Sequence, residues 1–238
     1  FKAVLIFMLS LPAASLSAGQ KIPERLEYSL SWGIVPVGSA IQEIVEVGEV
    51  RKLLSLAKSN DWLSGFYPVE DRTESLIEKN GDFPGRVRSF RMIFKEGARL
   101  RDREILFDRA SGKALFHDRV SKEQLDIQVE PGTFDIYSSF YYARHQRLEP
   151  GKSLFMHVLD CKTLYRLEVR VLKKERIKVP AGEFDTIKIE PVVKPEGIFE
   201  GKRGTIIWLS DDSRRIPVKV QTLVRVGRVT AVLTGGNY

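Results

Sequence analysis

The chain has 238 residues, 43% of them hydrophobic, and carries 38 Lys and Arg against 31 Asp and Glu. This length is sufficient to bury a sizeable core, and the modest positive excess is spread over mostly interleaved charges. The one cysteine, Cys161, excludes an internal disulfide. No motif of a nucleic-acid reader occurs, so nucleic acid is not an expected partner.

The N-terminal segment predicts export. Residues 1–18 (FKAVLIFMLSLPAASLSA) place one basic residue before an apolar stretch that ends in small residues. This order is typical of a secretory signal peptide, with cleavage after Ser17 or Ala18, and the alternative is a short buried helix. The stretch is shorter than the roughly 20 residues that span a bilayer, and no second such segment follows. We therefore expect a single β-rich domain, residues 19–238, that is periplasmic or otherwise exported into the bacterial cell envelope and has no transmembrane span after cleavage.

Most of the remaining chain alternates apolar and polar residues in short runs, which predicts β-strands. Runs at 71–79, 86–94, 103–108 and 113–120 follow one another at hairpin spacing, and Asn80-Gly81 is a strong hairpin signal. In the first half of the chain, Arg alternates with apolar residues, which places cations on one strand face. Such a face either meets an acidic envelope polymer or lipid headgroup, or is simply solvated.

Residues 133–147 break this rhythm, because aromatic residues recur there near helical spacing. This segment is predicted as the one substantial helix, capped by Thr133 or Asp135 and stopped by Pro150-Gly151. Its aromatic stripe either lines a lipid pocket or packs on the sheet.

The C-terminal third contains two further turn signals. Residues 180–182 (PAG) predict a tight turn, and residues 211–215 (DDSRR) predict a hairpin tip in which Asp side chains bond the turn backbone and Arg215 pairs with one of them. Pro217, inside the following strand, indicates either an edge strand or a bulge.

Three motifs carry a resemblance to a known family. They are residues 28–38 (YSLSWGIVPVG), 179–184 (VPAGEF) and 208–212 (WLSDD) running into 215–218 (RIPV). In this order they resemble the bacterial exported family known as domain of unknown function 3108. The resemblance covers nearly all of the mature chain and implies export and a β-rich fold, without catalytic residues.

No constellation of residues predicts a reaction. The three histidines lack metal-ligand spacing, and the nucleophile-elbow, phosphate-loop and dinucleotide motifs are missing. Cys161 is either a reactive thiol or a partly buried small apolar residue. We therefore expect a protein that is not an enzyme, with no catalytic residue, metal or cofactor.

The predicted fold is mainly β, a strongly curved antiparallel sheet or a barrel or half-barrel meander, with the one substantial helix packed on it. One functional hypothesis is an envelope protein that holds an apolar or lipid-like ligand between sheet and helix. Its candidate ligand-binding residues are Tyr137, Phe140, Tyr141, Trp62 and Phe66. The alternative is an envelope scaffold or protein-interaction module with a solid core and a protein partner. A continuous apolar cavity of about 300 Å³ or more favours the first.

Overall fold

The computed structural model describes residues 20–79, 83–194, 204–224 and 226–238. The predicted signal peptide and the Asn80-Gly81 turn lie outside these ranges. The strands are β1 (Gln20–Trp32), β2 (Val35–Val47), β3 (Val50–Ser59), β4 (Val69–Glu78), β5 (Arg86–Glu96), β6 (Arg99–Asp108), β7 (Lys113–Asp118), β8 (Gln124–Gln128), β9 (Phe134–Asp135), β10 (Ser153–Asp160), β11 (Thr163–Val179), β12 (Gly182–Lys194), β13 (Thr205–Ser210), β14 (Pro217–Leu223) and β15 (Arg228–Asn237). The helices are α1 (Asp61–Ser64) and α2 (Ile136–Arg144).

The strands of the described residues form one fifteen-stranded sheet in the order β8-β7-β6-β5-β4-β3-β2-β1-β15-β14-β13-β12-β11-β10-β9. Chain neighbours within each half pair antiparallel, and β9 pairs with β10 in parallel. The two halves join where β1 lies antiparallel to β15. The prediction of a mainly β meander is therefore confirmed.

Alternation of side chains along the strands accounts for this sheet. In β7, Ala114, Phe116 and Asp118 are buried, whereas the residues between them are less buried, which is the period of two that a sheet with one buried face requires. Asp118 is tolerated there because its carboxylate accepts hydrogen bonds from two backbone N–H groups of the next turn and from Arg103.

The sequence indicated an edge or a bulge at Pro217, and the structure shows the bulge. Strand β14 lies between β13 and β15, so it is not an edge strand. Its register against β13 shifts between Trp208 and Leu209, where Leu209 faces Pro217. The shift accommodates a residue that has no N–H to give to the ladder.

The predicted helix is corrected in length. It spans nine residues instead of the predicted 133–147, because Phe134 and Asp135 pair with β10 before the helix begins. Asp135, not Thr133, is the N-cap, and its carboxylate accepts hydrogen bonds from the N–H groups of Tyr137 and Ser138. The aromatic spacing continues through residues that the cap excludes from the helix.

The core contains side chains from both halves of the sheet. Leu159, from β10, packs in one cluster with Phe90 of β5 and Phe116 of β7. A second cluster joins Ala143 of α2 to Ile187 of β12. Helix α2 thus lies among strands that are far apart in the sheet order.

Candidate functional site: the two sides of helix α2

One side of α2 is buried against strands β2, β3 and β4. Tyr141 is fully buried in a cluster with Ile44, Leu53 and Ile77 of β2, β3 and β4. Tyr137 packs beside it, edge to face, and its hydroxyl donates to the Leu54 carbonyl oxygen over 2.8 Å. Burial raises the pKa of Tyr141 to about 12, so both phenols are neutral at physiological pH.

The C-terminal end of α2 is held by a buried ion pair. Arg144 donates from Nη1 and Nη2 to the two carboxylate oxygens of Glu24 in β1, over 2.8 and 2.6 Å. The same guanidinium donates to the carbonyl oxygens of Arg214 and Arg215. Burial opposes its charge, but the hydrogen bonds and charge of Glu24 outweigh that effect and raise the pKa of Arg144. This pair joins three segments that are distant in the sequence.

The N-terminal end is held by a buried carboxyl group. Asp135 Oδ1 accepts a hydrogen bond from the Ser75 hydroxyl in β4, over 2.8 Å, besides the two capping bonds. Its other oxygen, Oδ2, is buried and has no hydrogen-bond partner among the described residues. Burial raises the pKa of Asp135 although the hydrogen bonds oppose the rise.

The other side of α2 faces a cleft. A cavity of about 370 Å³ lies between the helix and strands β11, β12 and β13. The helix wall is formed by Ile136, Ser139, Phe140 and Ala143. The opposite wall consists mainly of aliphatic side chains, among them Leu167, Ile189 and Ile207.

Small helix residues make room for this cleft. Ser139 and Ala143 are four residues apart, so they lie one above the other on the same helix face. Both side chains are short and fill little of the space toward the sheet, although Ala143 still contacts the cluster that includes Ile187. Tyr137 and Tyr141 on the neighbouring face fill their space. The sequence analysis considered the aromatic residues of this helix, but the cavity lies beside the two small residues between them, Ser139 and Ala143.

The five predicted binding residues lie in three places. Phe140 lines the cleft, while Tyr137 and Tyr141 belong to the packed side. Trp62 and Phe66 lie in the connection between β3 and β4, where their rings are 5.6 Å apart and both are exposed. Ser139 and Ala143, which sequence reasoning missed, line the cleft instead.

Other candidate groups have structural partners. The Cys161 thiol is half-buried, and burial raises its pKa, which opposes thiolate formation. Asp212 bonds the backbone of the β13–β14 turn as predicted, but its ion-pair partner is Arg214, so the predicted role of Arg215 is wrong. Among the described residues, no group of three or more His, Cys, Asp and Glu is arranged to hold a metal ion.

A family model described as "Protein of unknown function (DUF3108)" matches residues 27–234. The chain belongs to this family, which confirms the resemblance inferred from the three motifs.

Among solved structures, a β-barrel-like protein of the domain of unknown function DUF1849 from Brucella abortus is similar, with a TM-score of 0.61 and 12% identity over 90% of this chain and 97% of that one. At this identity the similarity shows the fold alone. A "putative exported protein with YmcC-like fold" from Bacteroides fragilis gives a TM-score of 0.36 at 9% identity over 92% of this chain and 97% of that one. A "putative lipoprotein" from Parabacteroides distasonis gives 0.38 at 9% identity over 91% and 95%.

Among curated proteins, none matches this sequence. No helix of the described ranges has both the length and the apolar character that crossing a bilayer requires.

Proposed function

We propose that this protein is a non-enzymatic protein of the bacterial cell envelope that binds an apolar, lipid-like ligand in the cleft between α2 and strands β11–β13. The observation that carries the proposal is the cleft itself. Its volume of about 370 Å³ is within the range of about 300–1,000 Å³ typical of small-molecule sites.

The chemistry of the walls favours an apolar ligand. The two hydroxyl groups in the lining are engaged, since Ser139 donates to the Ile136 carbonyl oxygen and Thr205 bonds with Thr222. A polar ligand would lose its hydration there without gaining equivalent hydrogen bonds. An acyl chain would instead gain van der Waals contacts with the aliphatic walls.

The fold supports a carrier geometry. Contacts between strands from the two halves of the sheet, with α2 among them, favour a sheet that curves around the helix in a half-barrel. Export, in turn, rests on the N-terminal sequence. The proposal that no reaction is catalysed rests on the missing catalytic motifs and on the raised pKa of the Cys161 thiol.

Native mass spectrometry of the protein purified from the envelope fraction, followed by lipid extraction, tests the proposal. The wild type should retain a species of lipid mass. Thr205→Trp, which introduces a large side chain into the cleft, should lose it. Ile206→Trp is the matched control, because the next residue of β13 points to the opposite sheet face.

Circular dichroism should show that both variants remain folded. A wild-type protein without any bound species would favour the alternative, a scaffold with a protein partner, and crosslinking would then identify that partner. Retention of lipid by Thr205→Trp would place the ligand elsewhere. Charged replacements of Tyr137 and Tyr141 are unsuitable here, because both side chains belong to the core.

A further inference from the structure

A belt of exposed apolar side chains lies at one end of the sheet. It is contributed by the β1–β2 turn, the β3–β4 connection with α1, and the β14–β15 turn. Ile34 is 97% exposed, Phe66 70% and Val226 66%, and Trp32 and Trp62 are each about half exposed. We call these five residues the apolar rim. Single exposed apolar residues are common on proteins, but a group on adjacent turns marks an interaction surface.

Hydrogen bonds hold the rim in place. The Trp32 indole N–H donates to the Val226 carbonyl oxygen over 2.7 Å, which ties the first turn to the last. The Trp62 indole N–H donates to the Pro36 carbonyl oxygen over 2.9 Å and fixes α1 against the start of β2. Both indoles are thus satisfied by the backbone, so their rings can leave water without losing a hydrogen bond.

The charges at this end favour an anionic surface. Lys58, Arg99 and Arg228 are exposed and form no ion pair within the described residues. Of the nearby acidic groups, Glu96 pairs with Arg101 and Glu70 with Lys95, whereas Asp61 of α1 and Asp71 of β4 form no ion pair within the described residues. The excess is positive, as it is in the whole sequence.

We propose that the apolar rim inserts into the interface of an anionic lipid bilayer. Tryptophan, phenylalanine and aliphatic side chains on adjacent turns match the boundary between headgroups and acyl chains, where amphipathic rings are favoured. The neighbouring cations would add electrostatic attraction to anionic headgroups. The inference goes beyond the proposed ligand site, since the rim needs no occupant in the cleft.

The rim and the cleft are nevertheless neighbours. Strand β13 begins at Thr205, which lines the cleft. The preceding Gly204 carbonyl oxygen accepts a hydrogen bond from Leu223 N–H, at the end of β14, over 2.7 Å. The end of the cleft near Thr205 therefore lies at the same end of the sheet as the rim. If the rim inserts into a bilayer, this end of the cleft faces the membrane.

Vesicle co-sedimentation of the full chain tests the proposal, with vesicles of phosphatidylcholine alone and with added phosphatidylglycerol. The wild type should bind, more tightly when phosphatidylglycerol is present. Ile34→Asp and Phe66→Asp should each weaken binding by about tenfold or more. Val47→Asp should leave binding unchanged, because Val47 is also exposed but lies at the opposite end of β2.

Tryptophan fluorescence provides a second readout. Trp32 and Trp62 should shift to shorter wavelength on vesicles, whereas the buried Trp208 should contribute no shift. Failure of the wild type to bind either vesicle, or equal binding by Ile34→Asp, would overturn the proposal. The proposal would also be overturned if the wild type were a dimer and Ile34→Asp a monomer while vesicle binding stayed the same. The rim would then contact a second copy of the chain.

Discussion

The two sides of helix α2 differ in how they meet the sheet. One side is filled by Tyr137, Tyr141 and the Arg144–Glu24 pair, and it anchors the helix to β1–β4. The other side, with Ser139 and Ala143, leaves a cleft against β11–β13. Within nine residues, the packed side positions the helix, and the other side borders the space in which we propose that a ligand binds.

Among the substitutions on the packed side, loss of the Arg144–Glu24 ion pair should lower the free energy of unfolding most. Arg144→Ala leaves Glu24 buried without its partner, and loss of one partner of a buried pair typically costs about 3–5 kcal/mol. We expect a decrease of that size in the free energy of unfolding, measured by urea denaturation. The matched control is Lys162→Ala, which removes an exposed pair with Glu123 and should cost less than about 1 kcal/mol. Equal losses in the two variants would show that Arg144 does not anchor the helix.

Substitution of Asp135, the N-cap of α2, should change the free energy of unfolding by less, and the change should depend on pH. Burial raises the pKa of Asp135 in the folded protein, so the folded state holds the proton more tightly than the unfolded state. The contribution of Asp135 to stability should therefore be greatest below the ordinary aspartate pKa and be lost as pH rises through the folded pKa. Asp135→Asn keeps a good N-cap and removes this titrating group, so the stability of the wild type minus that of the variant should fall as pH rises.

Asp135→Ala measures the combined hydrogen bonding of the carboxylate, because it removes the acceptor of the Tyr137 and Ser138 N–H groups and also the partner of Ser75. It should destabilise by about 2 kcal/mol, combining a lost cap with an unsatisfied buried hydroxyl. Unfolding measured at several pH values from about 4 to 7 checks both variants. A stability difference, wild type minus Asp135→Asn, that increases with pH would contradict the assigned direction.

Local signals in the sequence predicted the strands but not the environment of α2. Alternation and turn residues suffice for the meander, and Pro217 indicated either an edge strand or a bulge, because these features depend on neighbours along the chain. The Arg144–Glu24 contact joins residues 120 positions apart, and no periodicity reports such a pairing. The helix start was misplaced because the aromatic spacing runs through Phe134, which the structure places in a strand.

The residues that line the cleft were only partly predicted, for a related reason. Attention to large aromatic residues assigned the site to Tyr137 and Tyr141, which fill space and therefore belong to the core. A cavity arises where side chains are short, and Ser139 and Ala143 at positions i and i+4 were its available signal. Trp62 and Phe66, which the sequence analysis named as ligand-binding candidates, do not line the cleft and belong to the apolar rim.

The smallest expected effect distinguishes the two tyrosines of the packed side. Tyr137→Phe removes the hydrogen bond to the Leu54 carbonyl oxygen and should cost about 1 kcal/mol. The Tyr141 hydroxyl is buried and makes no hydrogen bond of acceptable geometry within the described residues. Tyr141→Phe should therefore be neutral or slightly stabilising, since it removes a polar atom that burial has deprived of water.

Urea denaturation of both phenylalanine variants checks this difference, with ring packing preserved in each. If Tyr141→Phe were as costly as Tyr137→Phe, the Tyr141 hydroxyl would have a partner in solution, such as a water shared with Arg144. The packed side of α2 would then be partly hydrated. It would differ from the cleft side in the polarity of its surroundings and not in the amount of space.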